Sequence, residues 1–115
     1  MSKIHVHVGG LEDMGRRFVD AWHRAERGNV APETHVTFLD LTAMQATLSP
    51  RRLELLRHVR QRGATSTRAL ASELGRDYKN VHRDVAALEV AGLLVREGRK
   101  LAAPWDEVQA SVLLT

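Results

Sequence analysis

A chain of 115 residues has the length of one domain, which excludes a multidomain enzyme with separate cofactor and substrate lobes. With 43% hydrophobic and 27% charged residues it is not a disordered tail, and with only 4% aromatic residues its core has to be built from Leu, Val and Ala, which suits packed helices. There is no cysteine, so disulfides, thiolate nucleophiles and cysteine zinc sites are excluded together, and the formal net charge of +3 is unevenly distributed.

Met1-Ser2-Lys3-Ile4-His5 lacks the apolar core of a signal peptide. No stretch approaches the ~18 consecutive apolar residues of a membrane helix, so a cytoplasmic protein without membrane contact is expected. Ile4-His5-Val6-His7-Val8 alternates apolar and polar residues as a half-buried strand does, and Gly9-Gly10 ends it. Leu11, Met14, Phe18, Ala21, Trp22 and Ala25 recur at spacings of three and four, which predicts a helix to about Arg27, stopped by Gly28-Asn29. Beyond Pro32, the β-formers of His35 to Leu39 predict a second strand. Thr42-x-x-Gln45 has the spacing of a capping box and predicts a short helix through Leu48.

Ser49-Pro50 starts the next helix: Ser caps free amides and Pro occupies the first turn, where its missing donor costs nothing. Leu53, Leu56 and Val59 mark its buried face until Gly63. Ser66-Thr67 opens a further helix with Leu70 and Leu74 inward, and Gly75 ends it as the residue best able to take a positive φ. Asp77 is placed to cap a third helix, whose Val81, Val85 and Leu88 face the core before Gly92. Three helices with a tight glycine turn between the last two form a helix-turn-helix. Leu93-Leu94-Val95, a basic stretch from Arg96 to Lys100, and Leu101-Ala102-Ala103 read as a β-hairpin, or wing. After Pro104, the alternation of Val108, Ala110, Val112 and Leu114 predicts a closing strand. The predicted fold class is α+β: a winged helix-turn-helix over 49–103, a strand-helix-strand extension over 1–48 and a C-terminal strand within 104–115.

Residues 49–103 carry twelve Lys and Arg against six Asp and Glu, whereas 1–48 carry five against six. Polyanion binding therefore belongs to the second half. At about 100° per residue, Val81, Val85, Leu88 and Gly92 share one sector of the third helix. Lys79 and Arg83 lie opposite with Ala86 beside them, Asn80 on one flank and His82 on the other. Arg and Lys can donate to guanine, Asn can pair with adenine, and Ala lets the helix axis approach the major groove. Arg96, Arg99 and Lys100 of the wing are expected on an adjacent phosphate backbone or minor groove, and the amides at Ser66 and Thr67 on another phosphate. Arg76 in the turn and the Tyr78 hydroxyl complete the candidate DNA-binding set. Asp84, beside the core sector, reads as a structural partner for an Arg of a neighbouring helix. Val90 points away from the core, to pack under the closing strand or to meet another subunit. A charged helix face is commonly only solvated; the glycine turn, the wing and the local charge together predict DNA contact.

Leu48 through Leu56, Leu74 through Val85, and Leu88-Glu89 followed by Gly92-Leu93 resemble a MarR-like winged-helix family of small bacterial and archaeal transcriptional regulators. Some members are encoded beside small toxin genes and are regarded as antitoxins. The similarity covers nearly the whole chain, and its specific part is Gly75 to Val85, since many unrelated regulators share the generic helix-turn-helix. The family's aromatic-acidic pair after a Pro stands here as Trp105-Asp106. The resemblance implies a double-stranded DNA-binding regulator that acts as a homodimer and represses its own operon; a toxin partner is implied by the family alone.

Other chemistries lack their constellations. His5-x-His7 puts two imidazoles on one strand face, with His23 or His35 as a third, but no acidic residue stands at matching spacing, so solvated or interface histidines and no metal are expected. Ser49 and Ser66 are caps without a nucleophile elbow, and Gly9-Gly10 lacks the continuation of a phosphate loop. Neither an enzyme nor a cofactor is expected. Two other readings differ in class: the near-neutral first half grips a protein such as a toxin while DNA binding serves autoregulation, or the winged helix binds RNA, against which the scarcity of exposed aromatics argues. Candidate dimer contacts are Phe18, Trp22, the free edge of the first strand, and Val108 to Leu114, with Trp22 more simply read as a core residue.

Overall fold

The computed structural model of the chain describes residues 2–9, 19 and 34–112. Apart from Val19, the helix expected over 11–27, with Phe18, Trp22 and His23, lies outside the described residues, as does Leu114. The elements are β1 (Lys3–Val8), β2 (Thr34–Phe38), α1 (Leu41–Thr47), α2 (Pro50–Arg62), α3 (Thr67–Leu74), α4 (Tyr78–Val90), β3 (Val95–Glu97), β4 (Lys100–Ala102) and β5 (Glu107–Val112). The described residues thus form an α+β fold, and none of their helices is long and apolar enough to cross a membrane.

Alternation in β1 buries Ile4 and Val6 completely on one side and leaves His5 and His7 on the other. Both neighbours run parallel to β1, giving the order β2-β1-β5, with Val6 opposite Val36 and Ala110. β1 therefore does not offer the free edge expected from the sequence. Its fully buried Ile4 and Val6 require cover from both sides, whereas β5, with Glu107, Gln109 and Ser111 along it, tolerates an edge.

The helix ends follow local chemistry with two differences from the expected caps. α1 is capped by Asp40, whose Oδ1 accepts from the Ala43 amide at 2.7 Å. Thr42, expected to cap, lies within the first turn, because Asp40 already holds the extended backbone and is the stronger cap. Ser49 Oγ accepts from the Arg52 amide with Pro50 in the first turn of α2, and Ser66 Oγ accepts from the Ala69 amide of α3. Asp77 occupies the cap position of α4, but its carboxylate makes no capping bond. Gly75, at φ 63° and ψ 35°, turns the chain from α3 into α4 in the left-handed region that suits glycine. In α2 the buried side chains are Leu55, Leu56 and Val59, with Leu53 half-buried, so the core face is wider than the expected stripe.

β3 and β4 pair antiparallel, Arg96 opposite Leu101, with Gly98 and Arg99 between the strands. The Leu101 amide reaches the Ala64 carbonyl at 2.8 Å and ties this hairpin to the end of α2. One core unites the sheet with the helices: Ile4 belongs to the same cluster as Leu55, Leu70, Val81, Val85, Leu88, Leu93 and Leu101, with Trp105 and Val108 packed against it. The Trp105 indole donates to the Gly92 carbonyl at 3.0 Å, and Asp106 accepts from the Ser2 amide at 3.0 Å and pairs with Arg60.

Candidate nucleic-acid interface

Burial of Val81, Val85 and Leu88 fixes the rotation of α4 and turns Lys79, Asn80, His82, Arg83 and Ala86 to solvent. Among the described residues, Lys79, Asn80 and Arg83 make no side-chain hydrogen bond or ion pair. Val90 is 91% exposed on this face and packs under no strand. At the start of α4, Tyr78 is 39% exposed, the His82 ring lies 5.8 Å from it, and the Arg68 guanidinium sits 4.8 Å from its ring centre. Sequence reasoning missed Arg68, and no spacing signal marks it, since only the packing of α3 against α4 brings it to Tyr78.

One flank of α4 is held by Asp84. Its Oδ1 accepts from Arg52 Nε at 3.0 Å and its Oδ2 from Arg76 Nη2 at 2.6 Å, while Arg52 also donates to the Ala46 carbonyl at 2.8 Å. Burial works to raise the pKa of this carboxyl, but the hydrogen bonds and charges of Arg76 and Arg52 outweigh it and hold the group below its ordinary value. Asp84 is thus the structural partner of arginines expected from its place on the helix, and Arg76, expected to touch DNA, forms part of this brace. On the other flank Arg96 donates from Nη2 and Nε to Glu89 Oε1 at 2.8 and 3.2 Å and from Nη2 to Thr67 Oγ1 at 3.4 Å, linking β3 to α4 and α3. Hydrogen bonding to Glu89 raises the Arg96 pKa further.

The structure therefore divides the expected set. Lys79, Asn80, His82 and Arg83 share one exposed helix face, and Arg99 and Lys100 lie exposed at the hairpin, without an ion pair among the described residues. Arg76 and Arg96 are engaged by carboxylates. At Ser66 and Thr67, where the expectation concerned the backbone amides, the Ser66 hydroxyl caps α3 and Thr67 is buried with its hydroxyl against Arg96.

Away from this face the three described histidines of the sheet stack, His5 and His7 each 5.0 Å from His35, with His7 Nε2 and His35 Nδ1 2.8 Å apart and Ser111 Oγ 2.9 Å from His7 Nδ1. Among the described residues no group of three or more His, Asp or Glu is placed to hold a metal ion. A cleft of about 540 Å³ between α2 and the segment before β5, lined by Leu53, Leu56, Arg57 and Trp105, shares no residue with the α4 face.

Among curated proteins nothing matches the chain. Residues 47–110, which hold α2 to α4, the hairpin and most of β5, match the HVO_A0114 family; the match spans more than half of the sequence, and the chain belongs to the HVO_A0114 family.

Proposed function

We propose that this protein is a sequence-specific, double-stranded DNA-binding transcriptional regulator, in which α2, α3 and α4 act as a winged helix-turn-helix and the β3-β4 hairpin is the wing. The observation that carries this reading is the exposed face of α4, where Lys79, Asn80 and Arg83 stand unpaired beside the small Ala86. Of the acidic groups around them, Asp84 is engaged by Arg52 and Arg76, Glu89 by Arg96, and Glu73 by His58 at 3.1 Å, while Asp77 at the start of α4 is exposed and makes no ion pair among the described residues. A helix face of donors and small side chains fits a major groove, and its core-packed opposite side gives it a fixed angle of entry. Arg99 and Lys100 of the wing supply charge beside it. From the family resemblance comes the further proposal of a homodimer on two half-sites about 34 Å apart, repressing its own operon.

The test is a titration of the protein against the DNA upstream of its own gene and against a scrambled duplex of equal length, at two salt concentrations. The expected outcome is a preference of about a thousandfold or more for the upstream duplex. Equal, strongly salt-dependent binding to both would leave only electrostatic attraction and overturn the specific regulator. Asn80→Ala is expected to cost about 1–3 kcal/mol and to relax specificity at one base pair, whereas Arg99→Ala or Lys100→Ala weakens all sequences alike and flattens the salt slope.

A further inference from the structure

A crevice of about 230 Å³ opens between the start of α2 and the Asp84 flank of α4. Four arginines contribute to its lining, Arg51, Arg52, Arg76 and Arg83, together with Asn80 and a single acidic residue, Asp84. Each oxygen of Asp84 is already occupied, one by Arg52 at 3.0 Å and the other by Arg76 at 2.6 Å. Arg51 and Arg83 have no hydrogen-bond or ion-pair partner among the described residues, so two uncompensated cationic residues border one small concavity whose inner wall is braced. Like charges that border one concavity favour an anion with several acceptor oxygens between them. The planar fork of a guanidinium matches a phosphate, to which it donates two parallel hydrogen bonds.

We infer that this crevice is a phosphate seat in which Arg51 and Arg83 are the binding groups, and Asp84, through Arg52 and Arg76, positions its wall. The source of the phosphate follows from the DNA-binding reading, on which this inference rests: a helix face entering a groove is flanked by the phosphodiesters of the groove wall. Arg51 thereby joins the DNA contacts, although nothing in the charge pattern set it apart from its neighbours, and Arg83 moves from a base edge to the backbone. Lys79 and Asn80 are left to read bases.

The experiment measures full-chain affinity for the upstream and the scrambled duplex over a range of salt, for the wild type, Arg51→Ala, Arg83→Ala and, as a control outside the crevice, Arg57→Ala. Arg51 and Arg83 are both exposed, so each variant is expected to keep the wild-type circular dichroism. Arg51→Ala and Arg83→Ala are each expected to lose about tenfold in affinity on both duplexes alike and to lower the salt slope by about one, with Arg57→Ala unchanged. Wild-type affinity and slope in Arg51→Ala overturn the seat, as does a loss in Arg83→Ala confined to the upstream duplex and to one base pair. If the wild type binds neither duplex, the DNA reading fails by itself. The seat is then decided by ³¹P NMR with inorganic phosphate: line broadening by the wild type that Arg51→Ala abolishes supports it, and no broadening overturns it.

Discussion

Asp84 illustrates how one carboxylate sets the geometry of a cationic surface. Removing it leaves Arg52 and Arg76, both largely covered, without their acceptor, and Asp84→Ala is expected to cost about 2 kcal/mol, the scale of lost hydrogen bonds to charged groups. The shift of the urea midpoint checks this. Because the native pKa of Asp84 lies below its ordinary value of 3.8, its stabilisation is fully present above that pH and is lost as pH falls through the native value. Acid titration of stability below about pH 4 is therefore expected to be shallower in Asp84→Asn than in the wild type. A structural role for Asp84 was legible in the sequence, because its angle on the helix puts it next to Val81, Val85 and Leu88. The identity of its partners was not, since Arg52 is 32 positions away and reaches it only when α2 packs against α4. The same applies to Arg96, whose contact with Glu89 depends on where the hairpin folds back.

Helix boundaries were the most legible elements, because their determinants lie within four residues: Ser49 with Pro50, Ser66, and the glycine stops. At Gly75 a Cβ would meet nothing within 4 Å, so a substitution is opposed by backbone conformation alone. Gly75→Ala is expected to lower stability by about 1 kcal/mol, and Gly75→Asn by less, since Asn accepts the left-handed region more readily; thermal unfolding of the two variants gives the comparison. For α1 the capping box at Thr42 misled, because a stronger cap, Asp40, stands two residues earlier. Asp40→Ala is expected to cost about 1 kcal/mol and to speed amide exchange in α1, while Thr42→Ala changes neither by more than a few tenths. The hairpin was readable from its two apolar runs, although the strands extend into the expected tip, with Arg96 in β3, Lys100 in β4 and only Gly98 and Arg99 between the strands, but the pairing of β1 was not readable. A strand's alternation shows which face is buried and says nothing of which strands lie beside it.

Through Ile4 the sheet and the helical segment share one hydrophobic core. Ile4→Ala is expected to destabilise by about 3 kcal/mol and to displace a single transition, coincident by far-UV circular dichroism and by fluorescence; separate transitions would show a first segment that melts independently. The sheet also sets the order of events in biosynthesis. Its central strand is the earliest described element and one of its edges is the last, with Ser2 and Asp106 bonded across 104 positions. A nascent chain has β2 on hand to cover one side of β1 before α2, α3 and α4 are made, but the other side stays bare while those helices are already able to pack, and the sheet closes only after β5 has left the ribosome. Contacts this remote in sequence form slowly. Until they form, the β5 side of β1 is the place where one newly made copy can pair with another.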